Sequence, residues 1–438
     1  MMRSIGRTLA LWEMLALLVL AGHAAERAPA ADEAVVKATG KPAEGPAEAF
    51  LGEPFFDMQL VFEGNGNVRE PYLAVAVDGA ILVVRNNLGH LRRSEDGGKT
   101  WSGIVEVPIR HSDSNIIVDE TTGDLLSIRI WDGRDRMFRS KDGGKTWKEE
   151  PVAVLTEELT RRSERVRSKK RTTRAEEIPG KTYFLHANAS EAGITLRRGK
   201  HRGRLIVTAT FRPHAKEHPS DRKEIDAIYS CALYSDDGGK TWSVSDLFPE
   251  GYTEEAGLVE LWDGRIYYNT RSHKGFYDKS RARPLGPDAA LRREAWSHDG
   301  GQTWADYRIS KVLPDGGGYD RGYGMKGGLV RLPIAGRDVL IYSNADTAGG
   351  PREKLTVWAS FDGGRTWPVK RLVNAGPAAY SSLGAGRPGT PGEGRIFLLF
   401  EGGPEGRYSA MHVARFNLSW ILEGQGTGDG QLPEWIAR

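Results

Sequence analysis

Five copies of one eight-residue phrase recur along the chain and constrain its fold more than any other feature. Each copy reads Ser-x-Asp-Gly-Gly-x-Thr-Trp, with Lys, Gln or Arg at the sixth position. Glycine adopts the positive φ of a tight turn, and the aspartate carboxylate can accept hydrogen bonds from nearby backbone N–H groups. The Thr-Trp pair then starts a strand. A repeat this strict predicts an array of similar hairpin units. The copies begin at Ser94, Ser140, Ser235, Ser297 and Ser360.

The spacing of the copies predicts the size of each unit. Their aspartates are separated by 46, 95, 62 and 63 residues, and a four-stranded propeller blade needs about 40–50 residues plus loops. The longest gap fits either one blade with an extra loop or two blades with one copy lost. Short runs of branched and aromatic residues recur between Gly, Asp and Asn, and no long amphipathic helix is apparent after the N-terminal segment. We therefore expect an all-β, six-bladed β-propeller, closed by its first and last segments.

The N-terminal 50 residues have a different composition from the rest. Residues 1–24 carry two arginines, an apolar run interrupted by Glu13, and small residues at the end, which indicates a cleaved secretion signal. A retained membrane anchor is the alternative interpretation. Residues 25–50 are rich in Ala, Pro and Glu and predict a disordered spacer. The propeller is then expected to occupy residues 51–438 of an exported protein, secreted or periplasmic.

Cysteine content and charge exclude several classes of protein. The single cysteine, Cys231, cannot form an intramolecular disulfide and is expected to be a small buried apolar residue. The net charge of +3 is dominated by residues 161–174, which hold eight basic residues and one acid. The rest of the mature chain is near −5, so its composition does not indicate a nucleic-acid-binding protein. We interpret the basic run as a solvated insertion, and binding of an acidic partner is the alternative.

The repeats resemble Asp boxes, the hairpin signature of sialidase-like β-propellers, and by themselves they are structural. Sequence between the boxes resembles sialidase site motifs. VREPYLAVAVDGAILVV resembles the Arg-Ile-Pro motif and its strand pair, with Arg69 and Pro71 in position and Glu70 replacing the usual apolar residue. EEAGLVELWDGRIYYNTRS resembles a second motif that carries Glu255 and Arg271, although Glu254 is an immediate neighbour of the glutamate.

Three later motifs complete the resemblance, which spans residues 51–422. PREKLTVWASFDGG matches the stretch that holds the third arginine, Arg352, and AAYSSL resembles the motif of the tyrosine nucleophile, Tyr380. FLLFEGG places Glu401 as the residue that braces Arg69. The resemblance implies a retaining exo-sialidase in which Glu255 is the base for Tyr380. It implies no metal and no organic cofactor.

The chemistry of these residue types suits an acidic sugar. Three guanidiniums can hold a 2-keto sugar acid by its carboxylate with charge-assisted bidentate hydrogen bonds that lysine cannot mimic. A neutral tyrosine can approach an anomeric carbon that already bears a carboxylate more easily than a charged nucleophile can. The expected partners are sialylated or other acidic glycans. We expect no nucleic acid, no membrane after signal cleavage, and a monomer.

One part of the sialidase pattern is absent from the sequence. The family's general acid is an aspartate ahead of the first Asp box, but no aspartate lies between Asp78 and Asp96. His90 stands near that place and titrates near neutrality, and Asp113 in the next loop is a second candidate. Two further hypotheses therefore stay open. The chain could be a glycan-binding propeller without turnover, or an interaction propeller that binds through residues 161–174.

Overall fold

The described part of the chain runs from residue 42 to residue 436. A computed structural model describes these residues except 65, 108–114, 131–134, 156, 158–182, 188–189, 214–227, 273–286, 317–323 and 349. The expected signal (1–24), most of the expected spacer (25–41) and the basic run (161–174) lie outside the described residues. Short 3-10 turns occupy Ala47–Phe50, Gly199–His201 and Pro287–Ala290, and the α-helix α1 spans Leu418–Leu422. Among the residues described, no helix has the length and apolar character needed to cross a bilayer.

The strands form blades around a common axis. The first strand, β1 (Phe56–Glu63), belongs to the last blade. Blade 1 contains β2 (Pro71–Val75), β3 (Ile81–Arg85), β4 (His90–Ser94) and β5 (Val105–Glu106). Blade 2 contains β6 (Ile117–Val118), β7 (Leu125–Arg129), β8 (Arg136–Ser140) and β9 (Lys148–Glu150). Blade 3 contains β10 (Ala153–Val154), β11 (Tyr183–His186), β12 (Ile194–Thr195), β13 (Leu205–Pro213), β14 (Tyr229–Ser235) and β15 (Thr241–Val244).

The remaining blades complete the ring. Blade 4 contains β16 (Thr253–Glu260), β17 (Ile266–Ser272), β18 (Leu291–Ser297) and β19 (Ala305–Pro314). Blade 5 contains β20 (Gly328–Arg331), β21 (Leu340–Ala345), β22 (Glu353–Ser360), the first half of β23 (Val369–Ala385) and β26 (Gln425–Gly426). Blade 6 contains the second half of β23, β24 (Ile396–Gly402), β25 (Ala410–Phe416) and β1.

Packing between neighbouring blades closes the circle. The innermost strand of blade 1, β2, contacts β6 of blade 2 and β23 of blade 6, and the other neighbouring blades also make contact. The strand β1 pairs antiparallel with β25, so the two ends of the described chain meet in blade 6. The prediction of a six-bladed propeller closed by its terminal segments is confirmed.

This closure explains why six blades carry five boxes. In blades 1 to 5 the repeated phrase connects the third strand to the outer region of the same blade. In blade 6 the third and fourth strands, β25 and β1, come from opposite ends of the described chain. No hairpin joins them, so there is no turn for a sixth box to form.

Each box is a self-contained turn whose carboxylate holds the backbone. In the first box, Asp96 Oδ1 accepts hydrogen bonds from the N–H groups of Lys99 and Thr100 at 2.9 and 3.0 Å, and Oδ2 accepts from the Thr100 hydroxyl at 2.6 Å. The second glycine of each box lies against the preceding blade. A Cβ built on Gly239, for example, would be 2.6 Å from Leu126 of blade 2. The boxes therefore stabilise turns and blade contacts.

Two expectations about chain organisation are resolved by the structure. The gap of 95 residues between the second and third boxes contains a single blade, blade 3, with a long insertion. Cys231 lies on β14 and is a free, buried thiol, as predicted.

The expected disorder of residues 25–50 is wrong for residues 42–50. Ala43 and Phe50 are buried, and the Glu44 carboxylate pairs with Arg198 at 2.8 Å and with Arg331 at 2.6 Å. Composition predicted disorder because this stretch is rich in Ala, Pro and Glu. The buried Phe50 ring, the ion pairs of Glu44 and a backbone bridge from Gly45 to Ile334 dock the segment on the propeller.

Candidate active site

The predicted site residues lie at one end of the propeller. Arg69 lies two residues before the start of β2, Glu255 lies near the start of β16, and Arg271 lies near the end of the neighbouring strand β17. Tyr380 lies near the start of the blade 6 part of β23, and Glu401 near the end of β24. Adjacent strands of a blade are antiparallel, so the start of the innermost strand and the end of the second strand lie at the same face of the propeller. The Asp boxes follow third strands and therefore lie at the opposite face.

Three guanidiniums from three blades surround the ring of Tyr380. Their central carbons lie 4.8 Å (Arg69), 5.7 Å (Arg271) and 5.1 Å (Arg352) from the ring centroid. Arg271 Nη1 also donates a hydrogen bond to the Tyr380 hydroxyl at 3.1 Å. Tyr380 is 6% exposed and Arg271 is 2% exposed. The structure thus brings together four of the residues predicted from the sequence, in a largely buried cluster rich in positive charge.

Glu401 fixes the position of Arg69 relative to Tyr380. Its Oε1 accepts from Arg69 Nε at 3.0 Å and from the Glu70 N–H at 2.7 Å, and its Oε2 accepts from the Tyr380 N–H at 3.2 Å. The side chain is completely buried. Burial raises the pKa of Glu401 to about 7, against the opposing effect of the Arg69 guanidinium. This carboxylate therefore changes charge near neutral pH while it holds both an arginine and the tyrosine backbone.

A β-bulge separates the two neighbouring glutamates. The register between β16 and β17 shifts after Glu254, and Glu255 is the additional residue, with a left-handed φ of 51°. Glu255 Oε2 forms an ion pair with Arg271 Nη1, whereas Glu254 pairs with Arg212 at 2.8 Å. Glu255 is therefore the glutamate that belongs to the cluster. Its connection to Tyr380 runs through Arg271, whose Nη1 contacts both side chains.

Tyr408 and a buried ion pair were missed in the sequence. The Tyr408 hydroxyl accepts from Arg352 Nη1 at 3.0 Å, and its ring lies 4.2 Å from the Arg69 guanidinium carbon. Arg352 Nη2 donates to the Gly324 carbonyl at 2.9 Å. The fully buried pair Arg292–Asp315, at 3.0 Å, lies next to Gly324. A tyrosine or an ion pair far apart in sequence carries no local signal that could have assigned these roles.

A second buried ion pair lies near the ring of Tyr380. Lys326 has no exposed side-chain surface, and its Nζ lies 2.6 Å from Glu70 Oε2. Glu70 Oε1 lies 3.3 Å from Arg69 Nη2. Burial alone would raise the pKa of Glu70, but Lys326 and Arg69 outweigh it and the pKa falls below its usual value. Lys326 was unassigned in the sequence because it stands in a glycine-rich run that predicts only a loop.

The structure does not bring His90, one of the two candidate general acids, to the cluster. His90 begins β4, the third strand of blade 1, where it pairs with Arg85 of β3 and Glu106 of β5. It is therefore two strand spacings from β2, roughly 10 Å. Asp113 lies outside the described residues. Within the described ranges, no group of three His, Cys, Asp or Glu side chains is arranged to hold a metal ion.

Comparison with known proteins identifies relatives of the whole chain. The family profile described as BNR/Asp-box repeat matches residues 138–149 and 233–244. A sialidase from Micromonospora viridifaciens is 30% identical over 426 residues, which cover 90% of this chain and 59% of that protein. These matches support assignment of the chain to the bacterial sialidase family. A sialidase from Bacteroides fragilis is 25% identical over 306 residues, which cover 65% of this chain and 48% of that protein. The chain thus spans about half to three-fifths of the length of these relatives.

Solved sialidase structures share its fold. Hadza microbial sialidase Hz136 superposes with a TM-score of 0.57 at 21% identity and covers 81% of this chain and 66% of its own. The intramolecular trans-sialidase from Ruminococcus gnavus, solved with oseltamivir carboxylate, gives a TM-score of 0.54 at 16% identity. It covers 81% of this chain and 95% of its own. At these identities the comparison shows that the fold is shared and nothing beyond the fold.

Proposed function

We propose that this chain is an exo-acting glycoside hydrolase that releases a terminal sialic acid, or a related 2-keto sugar acid, with retention of configuration. One observation carries the proposal: guanidiniums from three blades surround the ring of a buried tyrosine, and one of them, Arg271, donates to its hydroxyl. A sugar that carries its carboxylate on the anomeric carbon suits this arrangement, because the anion and the reacting carbon are one bond apart. Guanidiniums that hold the anion would therefore also hold the anomeric carbon close to Tyr380.

The proposed first step forms a covalent bond to Tyr380. Its hydroxyl oxygen attacks the anomeric carbon, the glycosidic C–O bond breaks, and the phenolic proton passes to Glu255. A substrate carboxylate on Arg271 would loosen the ion pair between Arg271 and Glu255 and leave that glutamate more basic. In the second step water attacks the anomeric carbon and gives up one proton to solvent or to the group that had protonated the leaving alcohol. The bond between the anomeric carbon and the tyrosine oxygen breaks, and Glu255 returns its proton to that oxygen. Free sugar acid leaves and Tyr380 is regenerated.

The departing alcohol needs a proton from a group that is not assigned among the described residues. His90 lies two strands away from β2, and Asp113 lies outside the described residues. General acid assistance contributes about 10²–10⁴-fold to such a step. Because no general acid is assigned among the described residues, a second candidate function is a glycan-binding propeller that keeps the arginine cluster but does not turn over a substrate.

The first experiment compares two substrates. We expect the chain to release sugar acid from a fluorogenic sialoside, whose leaving group needs little protonation, and from sialyl-lactose more slowly. Turnover of both substrates would mean that an acid exists, and His90→Ala and Asp113→Asn would then be tested for it. Turnover of the activated substrate alone would mean that the acid is missing. No turnover of either, with binding of free sialic acid that Arg352→Ala abolishes, would support the glycan-binding candidate and contradict the hydrolase.

Binding of a sugar acid is expected to weaken as pH rises through about 7, the pKa of Glu401. A ligand carboxylate on Arg69 adds negative charge near Glu401 and favours its protonated form. Binding is thus coupled to proton uptake and is stronger on the acidic side, by at most tenfold per pH unit. Titration calorimetry with sialic acid at pH 6 and 8, in buffers of different ionisation enthalpy, would measure both effects. The Glu401→Gln variant should lose the pH dependence, and a pH-independent affinity in the wild type would contradict the assignment.

A further inference from the structure

A buried lysine next to the arginine cluster has no role in the proposed mechanism. The Nζ of Lys326 lies 5.6 Å from the ring centroid of Tyr380 and 5.2 Å from that of Tyr72. A fully buried ammonium is unfavourable unless a counter-charge accompanies it. That counter-charge is Glu70, at 2.6 Å. The two residues are 256 positions apart in sequence and meet at the wall of the site.

The backbone aims Glu70 into the cluster. Successive side chains of an extended chain point to opposite sides, so Glu70 would normally face away from Arg69. Glu70 instead has a left-handed φ of 65°, which residues other than glycine rarely adopt. Its N–H donates to Glu401 at 2.7 Å, and its carbonyl accepts from the Asn86 N–H at 3.0 Å. This conformation brings the carboxylate of Glu70 to the same place as the guanidinium of Arg69.

Glu70 therefore places a carboxylate of the protein itself at a site that is expected to bind the carboxylate of a ligand. Its Oε1 is 3.3 Å from Arg69 Nη2, whereas its Oε2 is 2.6 Å from Lys326 Nζ. The shorter contact draws the carboxylate toward the lysine. Without the lysine, both oxygens could turn to Arg69 and form a bidentate pair, which is the strong arrangement for a guanidinium. A ligand carboxylate would then have to displace Glu70.

We propose that Lys326 is a positioning residue of the anion site, which holds the Glu70 carboxylate back so that Arg69 stays available to a ligand carboxylate. The identity of that ligand as a sugar acid rests on the proposed function, but availability of Arg69 to a simple carboxylate does not. The pair also determines the charge of the site. Glu70 and Lys326 cancel each other, and the excess positive charge of the three guanidiniums remains for the ligand.

Single substitutions of the two residues should have opposite effects on anion affinity. Lys326→Gln leaves Glu70 free to occupy Arg69, and affinity should fall about fivefold. Glu70→Gln removes the internal anion, and affinity should rise about fivefold. The double variant should return close to the wild type, and Lys326→Arg should preserve the affinity because the cation is kept. A purely structural pair would instead lose affinity in both single variants.

The test titrates the full chain with two probes, acetate followed by NMR and N-acetylneuraminic acid followed by calorimetry. Acetate needs only the cationic cluster, whereas the sugar acid also needs space and contacts for its sugar ring. Thermal denaturation of each variant checks that it is folded. Lys370→Gln is the matched control, because Lys370 pairs with Asp346 at the same 2.6 Å outside the cluster. This control should not change either affinity.

The outcomes separate this proposal from the proposed function. The positioning role is supported if acetate affinity is highest in Glu70→Gln, lower in the wild type and the double variant, and lowest in Lys326→Gln. The same order without any binding of the sugar acid keeps the role and contradicts the sialidase proposal. Loss of affinity in both folded single variants overturns the role. Absence of acetate binding by the wild type up to about 0.1 M also overturns it, since Arg69 would not be available.

Discussion

Replacing Tyr380 by phenylalanine should lower turnover of an activated sialoside by roughly 10³-fold or more, because it removes the nucleophilic oxygen. The affinity for free sialic acid should change by no more than about threefold. The aromatic ring would still fill the space between Arg69 and Arg352, and only the hydrogen bond from Arg271 would be lost. Steady-state kinetics and calorimetry on the same preparation would separate the two quantities.

Tyr408→Phe is the matched control for this variant. It removes a hydroxyl that also accepts from an arginine of the cluster, Arg352, but its oxygen has no part in the proposed chemistry. We expect an affinity loss of a few fold and turnover within tenfold of the wild type. Mass spectrometry of rapidly quenched reactions should find a sugar adduct on the peptide that contains Tyr380. Substantial turnover by Tyr380→Phe, or an adduct elsewhere, would contradict the assigned nucleophile.

The scaffold was predictable because its signals are local. Each Asp box combines a carboxylate, two glycines and a threonine within eight residues, and the hydrogen bonds around Asp96 join groups at most four positions apart. The count of blades followed from box spacing and strand runs. The closure of blade 6 was inferred from the general need to cover sheet edges, and pairing of β1 with β25 fulfils it.

The details of the site were less predictable because they depend on contacts between distant segments and on backbone angles. The order of the motifs along the chain predicted that Arg69, Arg271, Arg352 and Tyr380 belong to one site. It could not show that Glu255, rather than Glu254, shares with Tyr380 a contact to Arg271, because that depends on a bulge and a left-handed residue at Glu255. The departure from an apolar residue at Glu70 was visible in the sequence. Its buried partner, Lys326, lies just before the first strand of blade 5, whereas Glu70 lies just before that of blade 1, so only the folded structure identifies the pair.

The largest effect on stability is expected for Arg271→Met. The side chain is 2% exposed, and its removal leaves the Glu255 carboxylate buried without its guanidinium partner. Breaking a buried ion pair from one side typically costs about 3–5 kcal/mol of unfolding free energy. Chemical denaturation would measure this loss. Arg265→Met is a suitable control, because its pair with Asp263 at 2.7 Å is partly exposed, and exposed pairs contribute far less.

The double variant Arg271→Met/Glu255→Gln separates stability from binding. Neutralising Glu255 removes the unpaired charge, so the double variant should recover most of the stability, to within about 1–2 kcal/mol of the wild type. It should not recover the affinity for sialic acid, which we expect to stay roughly 10²-fold below that of the wild type because one of the three guanidiniums is gone. Full recovery of affinity along with stability would show that Arg271 serves only to neutralise Glu255, and would remove it from the ligand site.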